Sequence, residues 1–325
     1  MLWKEPNKDT PCLYLPISQA NPLKSIHDCF IDPQFSCPVD TQFITSWHSP
    51  TLDSPKQVCL TLLTLLHPLA TLIKKEQQNI KTYEKSAPHD VVTEMDIGIE
   101  LLLRYWFKKH LPTHKIIGEE GKKEQISAHD IIWYLDPIDG TSNYSKQSSN
   151  YCINLGSTYK GKPYINIVYK PDTHQHFFST PEHSNYTHLQ KQSSHICTEF
   201  YPHRKTEKEI LAKILEQKNL PLMQTQALGV SLFNMIQGKG SVFYKYNVKP
   251  WDVIAPLGIL AHSDYWDISL SFNQQELSPF SNSPEMLSHL NNAFQHNCRI
   301  GLIIICPKHS LSIKKLIQTI VAEYE

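Results

Sequence analysis

Two aspartates stand three residues apart in the run Trp133-Tyr134-Leu135-Asp136-Pro137-Ile138-Asp139-Gly140-Thr141-Ser142-Asn143-Tyr144. Carboxylates so spaced are the raw material of a site for a hard divalent cation, which takes oxygen ligands. Pro137 fixes its own φ and Gly140 is free to take a positive φ, so the chain can curl until Asp136, the Ile138 carbonyl and Asp139 point into one pocket. Backbone N–H groups of Gly140 and Thr141 would then face an anion, most naturally a phosphate. The plain alternative is an Asp-Pro-x-Asp-Gly turn with both carboxylates in water.

The elements that must hold this run are legible around it. Ile131 to Leu135 is rich in branched and aromatic side chains and predicts a strand buried on both faces, ended by Asp136-Pro137. Upstream, Asp53-Ser54-Pro55 predicts a helix start, followed by Val58, Leu62, Leu65, Leu66, Leu69 and Ile73 at helical spacing. Thr93-x-x-Asp96 predicts a cap for a second helix with the stripe Met95, Ile99, Leu102, Leu103, Trp106 and Phe107. Tyr151–Ser157 and Tyr164–Tyr169 read as antiparallel strands joined at Gly161-Lys162. Beyond residue 195 helical stretches (Glu207–Leu215, Ser231–Ile236, Val253–Leu260) alternate with strands (Ser241–Tyr246, Arg299–Cys306), and Leu311–Tyr324 reads as a closing amphipathic helix. Three segments result: a proline-rich extension over 1–54, a mixed α+β metal-binding half over 55–195, and an α/β half over 196–325 that completes the site.

Composition narrows the class. A chain of 325 residues, 40% hydrophobic, buries a large core, and 31 basic residues balance 31 acidic ones. No overall field gathers a nucleic-acid polymer or an anionic membrane, so anion selectivity must be local. The eight cysteines show no Cys-x-x-Cys pair and read as reduced, mostly buried thiols, which with the lack of an apolar leader points to a soluble, cytoplasmic protein. No stretch of about 18 uncharged apolar residues is found. The 17 histidines, among them His89 and His114, form no His-x-x-x-His pair beside the carboxylates and read as surface or packing residues.

Three further segments place carboxylates beside apolar elements: Asp90-x-Val92-Thr93-x-x-Asp96, Gly118-Glu119-Glu120 and Trp251-Asp252. Each has an ordinary structural reading, as a capping box, a solvated turn and a helix-dipole partner respectively. With Asp136 to Tyr144, the ordered set resembles the inositol monophosphatase-like family of magnesium-dependent, lithium-sensitive phosphatases, over roughly residues 55 to 262. The resemblance implies a layered αβαβα sandwich. It implies that Glu119, Asp136 and the Ile138 carbonyl hold one Mg²⁺ and Asp136, Asp139 and Asp252 a second, with a third, weaker ion near Glu119. It implies that Thr141, hydrogen-bonded to Asp96, activates a water, that Glu120 supports it, and that Gly140, Thr141 and Ser142 amides hold phosphoryl oxygens. Lys85 would meet acidic groups near the metals. A small phosphorylated metabolite is the implied partner, and a homodimer is common among relatives.

Substrate clues diverge. Inositol monophosphatases commonly carry a glutamate seven residues before the Trp-Asp aspartate, where this chain has Lys245, which favours a second anionic group as in a 3′(2′),5′-bisphosphate nucleotide. Ser142-Asn143-Tyr144 is instead closer to the inositol type, and Val248-Lys249-Pro250-Trp251-Asp252 echoes some histidinol-phosphate phosphatases. The Glu-Ala-Gly-Gly turn usual after the Trp-Asp helix is replaced by Ala261-His262-Ser263-Asp264. A reading from another class is a catalytically weak relative that binds a phosphorylated ligand as a regulator.

Overall fold

Helices α1 (Pro55–Glu76) and α2 (Glu94–His110) bury their apolar stripes against one face of a five-stranded sheet, and two further helices and a six-stranded sheet are layered on the other face. The computed structural model describes residues 52–85, 91–121, 125–127, 129–187, 195–199, 205–218, 220–272, 275–277, 300–308 and 311–323. Most of the proline-rich extension, together with His89 and Asp90, lies outside them.

Both helix starts follow from side-chain oxygens that satisfy the first amides. The Ser54 hydroxyl accepts from the Gln57 amide ahead of Pro55, and Thr93 and Asp96 form a reciprocal capping box. By length and composition α1 with the turn that follows is long and apolar enough to cross a membrane, the one such helix among the described residues. Its apolar side, from Val58 to Ile73, is nonetheless buried in a core shared with Leu102, Leu103, Trp133 and Leu155.

The five-stranded sheet runs in the order β3 (Lys115–Gly118), β4 (Ile131–Asp139), β5 (Cys152–Tyr159), β6 (Lys162–Lys170) and β7 (Gln175–Ser179); only the β3–β4 pairing is parallel. A two-stranded ribbon, β1 (Thr82–Glu84) with β2 (Val91–Thr93), precedes α2. Alternation along β4 sends Trp133 and Leu135 toward α1 and α2 and Ile132 and Tyr134 to the opposite core. The β5–β6 turn sits at Lys160-Gly161, one residue earlier than expected, where both residues take positive φ (50° and 73°).

That opposite core is filled by α5 (Leu228–Ile236) and α6 (Pro250–Leu260), and it is closed by a six-stranded sheet. The order there is β12 (Gln275–Leu277), β11 (Trp266–Phe272), β13 (Ile300–Pro307), β10 (Val242–Val248), β8 (Ile196–Cys197) and β9 (Leu222–Met223). Helices α4 (Lys205–Lys218) and α7 (Leu311–Ala322) cover its far side. The expected αβαβα sandwich is therefore present. Short α3 (Thr141–Ser145) follows β4, and the four described cysteines, Cys59, Cys152, Cys197 and Cys306, are free and buried.

One expectation is overturned where it matters most. Pro137 does not end β4: pairing with β5 continues from Asp136↔Asn154 to Asp139↔Cys152 across a bulge, three steps on β4 against two on β5. A bulge leaves its extra residue unpaired, so the N–H that proline lacks is not needed there.

Replacing Leu66, fully buried between α1 and the sheet, with alanine should cost about 2–5 kcal/mol in urea unfolding. A loss under about 1 kcal/mol would mean that this face of α1 is not core.

Candidate metal and phosphate site

The bulge sets the faces of the two aspartates. Residues three apart on a regular strand point to opposite sides, but the extra residue turns Asp139 back to the side of Asp136, while Ile138 goes to the α1–α2 core. Both carboxylates thus lie on the α5–α6 side of the sheet, 2% and 7% exposed. Asp136 Oδ1 accepts the Ile138 amide at 3.0 Å, which curls the chain as expected. Gly140 follows with φ 98°, and a side chain there would press on the Asn150 carbonyl at 2.7 Å and on Ala227 Cβ at 2.9 Å. The helical ladder of α3 begins with the Asn143 and Tyr144 amides on the Gly140 carbonyl, so the Gly140, Thr141 and Ser142 amides precede it.

Asp96 serves two ends at once. It accepts from the amide (2.9 Å) and hydroxyl of Thr93 as the cap of α2, and its other oxygen lies 2.9 Å from Thr141 Oγ1. One carboxylate thus serves the cap of α2 and the Thr141 hydroxyl together. Burial pushes its pKa up to about 6, against the lowering pull of the Thr93 bonds. Thr141 Oγ1 is also 3.0 Å from the Ile138 carbonyl.

Beyond β3, Glu119 and Glu120 share one cation: Lys85 Nζ lies 2.7 Å from Glu119 Oε1 and 2.6 Å from Glu120 Oε1. Burial pulls the Lys85 pKa down, but the two carboxylates outweigh it and hold the ammonium above its ordinary range. One ammonium cannot serve both acids fully, and burial with the Glu119 charge pushes Glu120 up to about 9. From beneath, buried Glu100 accepts the Glu120 amide at 2.8 Å and Arg104 Nε at 2.8 Å.

Asp252 enters from the first turn of α6, its Oδ2 3.4 Å from the Lys249 amide. Asp139 accepts the Leu228 amide at 3.2 Å, the Gly229 amide, and the Cys152 thiol at 3.6 Å. Burial pushes Asp139 up to about 7. Asp136 and Asp252 are pushed well above the carboxylate range, by burial first and then by neighbouring acids: Glu119 and Asp139 act on both.

The structure therefore gathers the charges of Glu119, Asp136, Asp139, Asp252 and Asp96 into one field. It does not bring their oxygens to a common point: among the described residues no three Asp, Glu, His or Cys side chains stand close enough to hold an ion as arranged. As arranged, Asp252 Oδ2 faces the Lys249 amide and Glu119 pairs with Lys85. Donor chemistry and uncompensated charge fit hard divalent cations, with side-chain rotation needed to close the shell. Lys245 is 4% exposed on β10, on the side of Phe243 and hence of the α5–α6 core. Trp251 packs partly buried against the same core, and His114 accepts from Trp133 Nε1 at 2.9 Å as a packing residue.

Several contributors were not singled out from sequence: Glu100, Asn143, Cys152, Asn154, Glu199 and Gly229. Asn154 was findable as a polar residue inside the apolar run Cys152–Leu155; its Nδ2 reaches the Asp252 carbonyl at 3.3 Å. Gly229 lies so close that an added Cβ would stand 2.6 Å from Asp139 Oδ2.

Residues 57–263 match the family model described as the inositol monophosphatase family. Among curated relatives, the inositol-1-monophosphatase of Bacillus subtilis is 26% identical over 202 residues, 57% of this chain and 75% of the relative. The Nus factor SuhB of Vibrio cholerae is 25% identical over 192 residues, 55% of this chain and 71% of the relative. Among solved structures, an IMPase/NADP phosphatase complexed with Mg²⁺ and phosphate superposes with a TM-score of 0.64 at 18% identity, covering 82% of this chain and 95% of that one.

The raised carboxylates set a pH signature. Asp96, Asp139 and Glu120 favour the folded state while protonated, so their contribution is fully present below about pH 4. It is lost as pH rises through about 6, 7 and 9. Metal-free protein should melt at a higher temperature at pH 5.5 than at pH 8, whereas Mg²⁺, which needs ionised ligands, should stabilise more at pH 8. A hundredfold excess over Kd should add about 2.7 kcal/mol. Equal Mg²⁺ shifts at both pH values would contradict this.

Proposed function

The chain belongs to the inositol monophosphatase family, and from that premise we propose that it is a Mg²⁺-dependent phosphomonoesterase acting on a small phosphorylated metabolite. The observation that carries the reading is the buried field of Asp136, Asp139, Asp252 and Glu119 with the Thr141–Asp96 hydrogen bond at its edge. Four clustered acids repel an anionic phosphate, and they suit cations that neutralise it.

In this reading Glu119, Asp136 and the Ile138 carbonyl hold one Mg²⁺, and Asp136, Asp139 and Asp252 a second. Bound there, the ions would acidify a water and screen the charge of the phosphate and leaving oxygen. The chain's own residues do the rest. Thr141 Oγ1, its proton directed to Asp96, has a lone pair for one proton of the attacking water. Asp96, near pH 6 in its titration, is ionised at neutral pH and able to receive that proton through Thr141. Glu120, tied to Lys85 and holding its own proton at neutral pH, steadies Lys85 and Glu119 rather than receiving a proton. The Gly140, Thr141 and Ser142 amides precede the α3 ladder and would bind phosphoryl oxygens. No covalent intermediate is needed.

For the substrate, the buried cation of Lys245 favours a second anionic group, as in a bisphosphate nucleotide. Inositol and histidinol monophosphates are the competing choices. A regulator with weak catalysis is the second reading. It is favoured by the engagement of the acid oxygens with amides and Lys85 rather than with one another, and by a relative named as a Nus factor.

Phosphate release should be measured with Mg²⁺, with and without Li⁺, on inositol 1-phosphate, 3′-phosphoadenosine 5′-phosphate, fructose 1,6-bisphosphate and histidinol phosphate. Asp139→Asn and Thr141→Ala should each lower kcat by about 10²-fold or more, and Lys245→Glu should depress turnover of the bisphosphate nucleotide selectively. No release from any substrate would favour the regulator, and an equal Lys245→Glu loss on all four would remove Lys245 from selectivity.

A further inference from the structure

One buried carboxylate outside this constellation holds the turn that faces Asp139. Glu199, 7% exposed just beyond β8, collects four donors. Its Oε1 accepts the Thr225 amide at 2.7 Å and lies 2.9 Å from Thr225 Oγ1 and 2.5 Å from Ser231 Oγ. Its Oε2 accepts the Gln226 amide at 2.6 Å. The next residues run straight into the site, because Leu228 and Gly229 donate their amides to Asp139.

Gln226 takes φ 59°, a left-handed conformation that side chains with a Cβ disfavour. Something must hold it there. Glu199 grips the Thr225 and Gln226 amides, one on each side of Thr225, and Asn143, in α3, donates to the Thr225 carbonyl at 2.8 Å. The turn is thereby pinned from both sides, and its exit amides meet Asp139 where a Cβ at position 229 would not fit.

We infer that Glu199 is a positioning residue for the second metal ligand: by clamping the 225–226 turn in its left-handed form it fixes the Leu228 and Gly229 amides, and through them the orientation of Asp139. The inference rests on Asp139 being a metal ligand. A carboxylate that merely stabilised the fold would show its loss in melting temperature alone. A positioning carboxylate shows it in metal affinity, and relief of the backbone cost at Gln226 restores that affinity.

Metal-free wild type, Glu199→Gln, Gln226→Gly and the double variant should be titrated calorimetrically with Mg²⁺ alone, with thermal unfolding of the same samples. Glu199→Gln should weaken Mg²⁺ binding about tenfold, the usual order for a residue that orients a ligand. Adding Gln226→Gly, which takes positive φ freely, should return most of that loss relative to Gln226→Gly alone, while the melting temperature stays lowered. Ser231→Ala, which removes one donor, carries the same comparison if Glu199→Gln does not fold, with a smaller loss in the same direction. Unchanged affinity in Glu199→Gln with binding intact in the wild type, or a loss that Gln226→Gly does not relieve, would overturn the role of Glu199 alone. No Mg²⁺ uptake by the wild type would overturn this inference together with the metal reading on which it rests.

Discussion

Buried carboxylates that repel one another lie at the centre of this fold. A single extra residue in β4 creates this repulsion, by turning Asp139 to the same side as Asp136 inside a sheet packed on both faces. Asp252 from α6 and Glu119 from the end of β3 add to the same field. Such a cluster is a liability for stability unless protons, ammonium groups or metal ions share it. Around this cluster the fold offers partial substitutes: the α5 amides on Asp139, the Lys249 amide on Asp252, and Lys85 between Glu119 and Glu120. None carries the two positive charges of a divalent cation.

The layers make that arrangement rigid. The bulge is held by β5, whose Asn154 and Cys152 are the register partners of Asp136 and Asp139 and lie beside the site themselves. Capping of α2 fixes Asp96, so the residue that starts a helix also receives the Thr141 hydroxyl. Helices α5 and α6 enter from the other side with their N-termini toward the acids, a favourable alignment for negative charge. Asp96, Asp136, Asp139 and Asp252 are thus carried on helices and a strand, while Lys85, Glu119 and Glu120 stand just past strand ends.

Much of this was legible before any coordinates, and the reasons are physical. Helices α1 and α2 carry a period of 3.6 and recognisable caps, and β4 is a continuous apolar run, so existence and type were readable. Taken singly, Asp136, Asp139, Glu119 and Asp252 each had an ordinary structural reading, and only the ordered resemblance to the family joined them into a set. Pro137 misled, because proline stops a regular ladder and a bulge is decided by the partner strand. Short strands such as β8, β9 and β12 have too few residues to show a period. Glu199 and Glu100 act through tertiary hydrogen bonds to segments 20 or more residues away, and no local pattern announces that.

Buried, mutually repelling acids of this kind should exchange protons for divalent cations. Calorimetric titration of the metal-free protein with Mg²⁺ at pH 6.5, repeated in buffers of differing ionisation enthalpy, counts the protons released on binding. Since Asp139 and Glu120 are pushed up to about 7 and 9, and Asp136 and Asp252 well above the carboxylate range, binding should release about one proton or more per chain, fewer at pH 8.5. Binding heats that are the same in every buffer, or no binding at all, would contradict it.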